Sequence, residues 1–268
     1  MDLYSSQSMA FFILCIEVNL NKIRKGKAMN IEIVSTDQRY GELNRILINN
    51  GHSSKIVTQS EVGFPDALIL SVRDEFDNEA LAEVFARVKK DTKVFCGNKK
   101  RVEKYFDGYI CDYSKNEYFL TENAKLTAEA TIGIFHQYTR RSIDGRKIFI
   151  SGYGRIGKEL ARIFSFLGGE IYVYARREEV KRQIESDGYF SVPLDYSCKC
   201  DVILNTAPAV IYENSLIERI KGETVIIELA SVCGFENKER VNFALGLPGK
   251  AMPLTSGRVI YDTIRSFF

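Results

Sequence analysis

Three glycines spaced Gly152-x-Gly154-x-x-Gly157 follow a short apolar run, Ile148-Phe149-Ile150. They precede an amphipathic stretch with Ile156, Leu160, Ile163, Phe164 and Leu167 at helical spacing. A second apolar run, Ile171-Tyr172-Val173-Tyr174, closes the unit. Strand, glycine turn, helix, strand is the context in which this pattern marks a dinucleotide cradle rather than an ordinary turn. Gly152 permits the tight turn, Gly154 lets the backbone approach a pyrophosphate, and Gly157 lets the helix pack close to the strand. Free amides at the helix start then face the phosphates, and the helix dipole favours negative charge there. Tyr153, Arg155 and Ile156 belong to the same cradle. Arg155 reads either as lying over the pyrophosphate or as one half of a surface salt bridge.

The residues after the second strand bear on which dinucleotide is held. In NAD-binding units an acidic side chain there hydrogen-bonds the adenosine ribose. Here the position reads as Ala175, with Arg176 and Arg177 directly after it. A missing carboxylate removes repulsion against a 2′-phosphate, and guanidinium groups can grip one with parallel bonds. The reading is therefore NADP over NAD, the alternative being two solvent-facing arginines at a helix start.

Bulk composition excludes several classes. The chain has 268 residues, 45% hydrophobic and 27% charged, as ordinary soluble chains do. Its length suggests one or two domains. A net charge of +2, from 37 basic and 35 acidic residues, argues against a nucleic-acid surface. Cys15, Cys96, Cys111, Cys198, Cys200 and Cys233 are scattered and read as free cytosolic thiols. Cys198-Lys-Cys200 matches no common zinc spacing, so no metal is expected. Met9 to Val18 is apolar but far short of the ~20 residues a membrane span needs. It also lacks the basic lead of a signal peptide. The expected location is cytoplasmic. Residues 1–28 read as an extension outside the fold, with translation expected to start at Met29; the intact mass of native protein tests this.

From Met29 onward strands and helices alternate. Expected strands are Ile31–Ser35, Lys55–Thr58, Asp66–Ser71, Lys93–Cys96 and Tyr109–Cys111. Expected helices are Gln38–Asn50, Glu79–Lys90 capped by Asn78, and one around Lys99–Tyr105. A long helix, Thr127 to Arg140, then leads into the glycine motif. Beyond the motif come a helix at Glu178–Ser186, a strand at Asp201–Leu204, a helix at Tyr212–Ile220, a strand at Thr224–Ile227 and a short one at Val241–Leu245. A terminal helix is expected from near Thr255. Alternation of this kind implies parallel sheets covered on both faces. The fold class is α/β: two doubly wound parallel-sheet domains with a cleft between them, the second a Rossmann dinucleotide-binding domain. The divisions are 29–125 for the first domain, 126–254 for the nucleotide-binding domain with its leading helix, and 255–268 for a helix near the junction.

In such sheets ligands sit beyond the carboxyl ends of the strands. That rule gathers Ser151-Gly152, Asn205-Thr206-Ala207-Pro208, Glu228 to Ser231 and Gly246 to Lys250 onto one rim. Asn205 and Thr206 can hydrogen-bond a ribose or carboxamide, or simply shape the turn before Pro208. Glu228 can position a substrate or accept a proton, or cap the next segment. Thr255 or Ser256 can cap the terminal helix, and with Lys250 nearby that helix start suits a substrate carboxylate. The candidate substrate residues are thus Glu228, Ser231, Lys250, Thr255 and Ser256. His52 and His136 read as packing or surface residues, and Lys99-Lys100-Arg101 as a solvated face. No catalytic residue is identified.

From Leu126 to the end, the chain resembles the dipicolinate synthase family, and within it the A-type subunit. The likeness is carried by Thr127-Ala-Glu129, Ile148–Gly157, Tyr174-Ala-Arg176, Asn205-Thr-Ala-Pro208, Ile227-Glu-Leu-Ala-Ser231 and Gly246-Leu-Pro-Gly-Lys250 with Pro253 and Thr255. The resemblance implies oxidation of dihydrodipicolinate to pyridine-2,6-dicarboxylate with NADP as hydride acceptor. It further implies a role in endospore formation and a second, flavoprotein-like partner, the B-type subunit of dipicolinate synthase. The family pattern has Pro where Leu126 stands, Gly at Ala130, and Pro-Gly-Gly where this chain has Val232-Cys233-Gly234-Phe235. Wider relatives, the 2-hydroxyacid dehydrogenases, need a late histidine near the nicotinamide; this chain has none after His136. The competing reading is a non-catalytic NADP-binding regulatory protein, or a dehydrogenase of another small carboxylate. The aromatic residues, 12% of the chain, include candidates for a homo-oligomer interface.

Overall fold

The computed structural model describes residues 27–73 and 76–268. Most of the expected 1–28 extension, Cys15 included, lies outside the described residues. The chain divides into two compact units. Of the described residues, one gathers 27–36, Leu43–Tyr113 and Tyr261–Phe268; the other gathers Asp37–Glu42 and Ser114–Ile260.

The first unit is built on five parallel strands: β1 (Asn30–Val34), β2 (Ser53–Ile56), β3 (Ala67–Leu70), β4 (Lys93–Cys96) and β5 (Ile110–Asp112). Their order is β2-β1-β3-β4-β5, one of the two common doubly wound arrangements. β3 is buried along its whole length, as a strand covered on both faces must be. On one face Val34, Leu68, Leu70, Val94 and Cys96 meet Leu81, Val84 and Phe85 of the Asn78–Phe85 helix. Asp77, not Asn78, caps that helix by accepting from the Ala80 amide at 2.8 Å. The helix also stops at Phe85 instead of reaching Lys90.

The second unit carries six parallel strands: β6 (Lys147–Ser151), β7 (Glu170–Tyr174), β8 (Phe190–Ser191), β9 (Val202–Asn205), β10 (Val225–Glu228) and β11 (Val241–Phe243). Their order, β11-β10-β9-β6-β7-β8, reverses direction between β6 and β9. This is the dinucleotide-binding arrangement, with its crevice at that reversal. Strand alternation sorts the core onto two faces. Ile148 and Ile150 join Phe135, Leu160 and Phe164 on one side, while Phe149 joins Tyr172, Ile203 and Ile226 on the other.

The helix leading into the motif begins ten residues earlier than periodicity indicates, at Glu117, and ends at Thr139. Asn116 caps it, its side chain accepting from the amides of Tyr118 and Phe119. Glu117 then sits in the first turn, where the dipole favours it. Its far end packs Phe135 edge-on against Phe164, with ring centroids 5.6 Å apart. The expected helix at Tyr212–Ile220 shrinks to Asn214–Ile217, because Tyr212 is drawn inward instead. Its ring stacks on Phe235 at 4.1 Å, and its hydroxyl lies 3.0 Å from that of Ser151. Gly246 to Lys250, expected on the rim beyond the last strand, opens a short helix, Leu247–Ala251. The terminal helix starts at Pro253, so Thr255 and Ser256 fall inside it and cap nothing.

Candidate functional site

At the reversal point between β6 and β9, the ends of β6, β7 and β9 and the loops that follow enclose a pocket of about 600 Å³. That is within the range of small-molecule and cofactor sites. Its floor is the glycine turn. Gly152 has a φ of +98°, a left-handed conformation that glycine adopts without strain. A Cβ on Gly152 would stand 2.7 Å from the Thr206 hydroxyl. At Gly157 a Cβ would meet the carbonyl oxygen of Gly152, so helix and turn touch backbone to backbone. Gly154 differs: a Cβ there would meet nothing within 4 Å, and the residue lines the pocket. The Arg155–Phe166 helix starts directly after it, with Gly154 as N-cap and no side chain bonded to its first amides. Backbone that can be approached closely, beside an uncapped helix start, is what a phosphate requires.

The flanks are built as follows. The Gly152 amide donates to the Tyr174 carbonyl at 3.0 Å, tying the turn to the end of β7. Tyr174, buried Ala175, and the exposed Arg176 and Arg177 line the pocket, with Val180 behind them. Arg177 reaches Glu179 at 3.2 Å, both largely exposed; such a pair contributes little and yields readily to an anion. On the opposite wall stand Thr206, Ala207, Pro208, Ala209 and Ile211. The Thr206 hydroxyl donates to the carbonyl of Ser151 at 2.9 Å, so it braces the glycine turn. Tyr153 packs at the pocket edge with its hydroxyl donating to Asp187 at 2.7 Å; burial pushes this phenol's pKa up and keeps it protonated.

Of the candidate cofactor residues, Gly152, Tyr153, Gly154, Arg176, Arg177, Thr206, Ala207 and Pro208 line this one pocket. Arg155 does not: its guanidinium donates to both carboxylate oxygens of Glu117 at 2.8 Å. Ile156 packs against the core, and Gly157 serves the turn from behind. Asn205 is fully buried and bonds Glu228 and Ala207. Motif and spacing miss Val180, Ala209 and Ile211, whose apolar side chains carry no chemical signal. They place Tyr174 at the end of its strand without assigning it to the pocket it lines.

The candidate substrate residues separate into two groups. Glu228 is fully buried and accepts hydrogen bonds from Asn205, Ala230 and Gly234, and so faces no solvent. Ser256 is buried and donates to the Pro248 carbonyl at 2.8 Å, joining the two last helices. Ser231, Lys250 and Thr255 are exposed. Gly249, inside the same segment, packs on the buried Arg39 guanidinium, which pairs with Asp37 at 2.6 Å. Among the described residues, no three His, Cys, Asp or Glu side chains come together to hold a metal, and no helix is long and apolar enough to cross a membrane. Cys198 and Cys200 turn to separate backbone carbonyls, those of Leu216 and Tyr196.

Glycine turn, reversal point and helix start together define the class: a Rossmann-type domain with the arrangement of a dinucleotide-binding unit. In agreement, residues 120–230 match the NAD-binding domain of the D-isomer specific 2-hydroxyacid dehydrogenases. The more particular likeness is to the A-type subunit of dipicolinate synthase. The protein of that name from Bacillus subtilis (strain 168) is 29% identical over 153 residues, which are 53% of this chain and 52% of that one. The match thus spans about half the length of the curated relative. The fold extends further. The solved structure of the B. subtilis protein superposes with a TM-score of 0.75 at 21% identity, over 90% of this chain and 96% of that one. Its counterpart from Bacillus halodurans gives 0.74 at 22% identity, over 88% and 96%.

Proposed function

We propose that this chain is an NADP-dependent oxidoreductase of the dipicolinate synthase kind, oxidising dihydrodipicolinate to dipicolinate in the cytoplasm of a sporulating cell. The observation that carries the cofactor choice is the end of β7, where buried Ala175 occupies the usual acidic position and Arg176 and Arg177 line the pocket. A ribose 2′-phosphate meets no carboxylate there and two guanidinium groups. The bound dinucleotide supplies the hydride-accepting ring carbon. The protein's own part is to place it: amides of the Arg155–Phe166 helix start would hold the pyrophosphate, Gly154 would leave room for it, and the Thr206–Ile211 segment would line the opposite side.

Oxidation of a dihydropyridine dicarboxylate gains an aromatic ring, so orientation and carboxylate anchoring supply most of what is needed. Lys250, Ser231 and Thr255 are the exposed candidates for that anchoring. A Lys250→Ala variant with an unchanged substrate KM would remove Lys250 from that role. A flavoprotein-like partner completes the proposed assembly, in keeping with the multi-subunit enzyme that the relatives' name implies for those proteins.

One observation favours a second reading, that of a non-catalytic NADP-binding protein: Glu228, the candidate carboxylate at the end of β10, is sequestered. Following NADPH absorbance with dihydrodipicolinate, with and without the flavoprotein-like partner, separates the two. NADPH formation supports the enzyme. Its absence in both mixtures, with cofactor binding intact, supports the binding protein.

A further inference from the structure

We infer that Glu228 is a positioning residue that holds two segments of one pocket wall through a single buried carboxylate. This rests on the reading of the pocket as a dinucleotide site. Oε1 accepts from Asn205 Nδ2 and from the Ala230 amide, each at 2.8 Å. Oε2 accepts from Asn205 Nδ2 at 2.9 Å and from the Gly234 amide at 2.8 Å. Every partner is a donor, and the two carboxyl oxygens accept from all of them. The side chain is fully buried, and no cation pairs with it among the described residues.

Two routes lead from this carboxylate to the pocket. Along the first, Asn205 braces the next loop, with Nδ2 donating to the Ala207 carbonyl at 3.2 Å and Oδ1 accepting from the Ala207 amide at 3.3 Å. Ala207 lines the pocket. Along the second, the Gly234 carbonyl accepts from the amides of Ile211 and Tyr212, each at 2.9 Å, and Ile211 lines the same wall. The two routes also touch each other: a Cβ on Gly234 would stand 2.5 Å from Asn205 Nδ2. Removing the carboxylate's acceptors therefore frees both segments at once.

Glu228→Gln keeps the shape but turns an NH₂ group toward donors, and a buried donor facing a donor loses its bond outright. Gly234→Ala keeps the carboxylate but pushes on Asn205. The test is a titration of purified full-length chain with NADPH, read by the nucleotide's own fluorescence, alongside circular dichroism and thermal unfolding. Both variants are expected to weaken NADPH binding by roughly tenfold or more, about 1.4 kcal/mol. In turnover, KM for the cofactor rises by a larger factor than kcat falls. If Glu228→Gln does not fold, Gly234→Ala carries the test. Wild-type affinity in folded Glu228→Gln, or in Gly234→Ala, overturns the inference. So does lost turnover with unchanged affinity, the signature of a group acting on substrate. A wild-type chain that binds no NADPH instead overturns the reading of the pocket, so the two failures are distinguishable.

Discussion

A methyl group on Gly157 would fall on the carbonyl oxygen of Gly152. The methyl carbon is fixed to the helix backbone and the oxygen belongs to the turn's, so neither can swing aside, and the Arg155–Phe166 helix would have to lift from β6. Gly157→Ala is therefore expected to destabilise the protein by about 1–3 kcal/mol, the usual range for overpacking. It should also abolish NADPH binding. A thermal melt that matches wild type would contradict this contact.

Gly154→Ala separates the two effects. A methyl group there meets nothing in the free protein, and φ is −81°, which alanine adopts freely. Stability should change by less than about 1 kcal/mol, because the N-cap position disfavours alanine while the loss of glycine's freedom in the unfolded chain favours it. NADPH affinity should fall, because the methyl occupies the space a pyrophosphate needs. Unaltered affinity would show that the phosphates lie elsewhere.

Local patterns in the sequence suffice for the glycine turn, the strands around it and the Glu178–Ser186 helix. Their signals lie within a few residues of one another, and the structure places them as read. What escapes depends on contacts distant along the chain. Sequence leaves Arg155 open between phosphate and salt bridge because Glu117 stands 38 residues away. Glu228 has the polarity of a surface or active-site residue; its burial follows from Asn205 and Gly234, which only the fold brings to it. Periodicity misplaces the start of the long helix because the first turn that Asn116 caps carries Tyr118, Phe119 and Leu120 in succession and not at helical spacing. β8, two residues long, is too short to show any period.

Arg176 and Arg177 make a prediction about selectivity rather than fold. Both are exposed, so alanine at either should leave the melting temperature within the small range of surface changes. A hydrogen bond to a charged group contributes about 1.5–3 kcal/mol. Arg176→Ala or Arg177→Ala should therefore weaken NADPH roughly ten- to hundredfold while NADH binding changes little. Equal losses for both nucleotides would argue against a 2′-phosphate site.

Two buried thiols contribute to the alkaline limb of stability, alongside the phenols of Tyr153 and Tyr212, which burial also pushes up. Desolvation pushes Cys96 and Cys200 up to about 12, from 9.0. Between those values the unfolded chain releases protons that the native one keeps, so stability is full below pH 9 and falls as pH rises toward 12. Replacing both with alanine should make that fall shallower, most visibly between pH 9 and 10 where the phenols do not yet titrate in the unfolded chain, whatever it does to stability at neutral pH. In native protein at pH 8 the same two thiols should resist iodoacetamide. An unchanged alkaline slope in urea titrations, or rapid labelling, would contradict the assignment.

Whether the residues around Gly152, Gly154 and Arg176 hold a phosphorylated nicotinamide dinucleotide is measured directly by side-by-side calorimetric titrations of the full chain with NADPH and NADH. Saturable binding of NADPH, roughly tenfold or more tighter than NADH, is the predicted result. Tighter NADH, or no heat with either nucleotide, would contradict it.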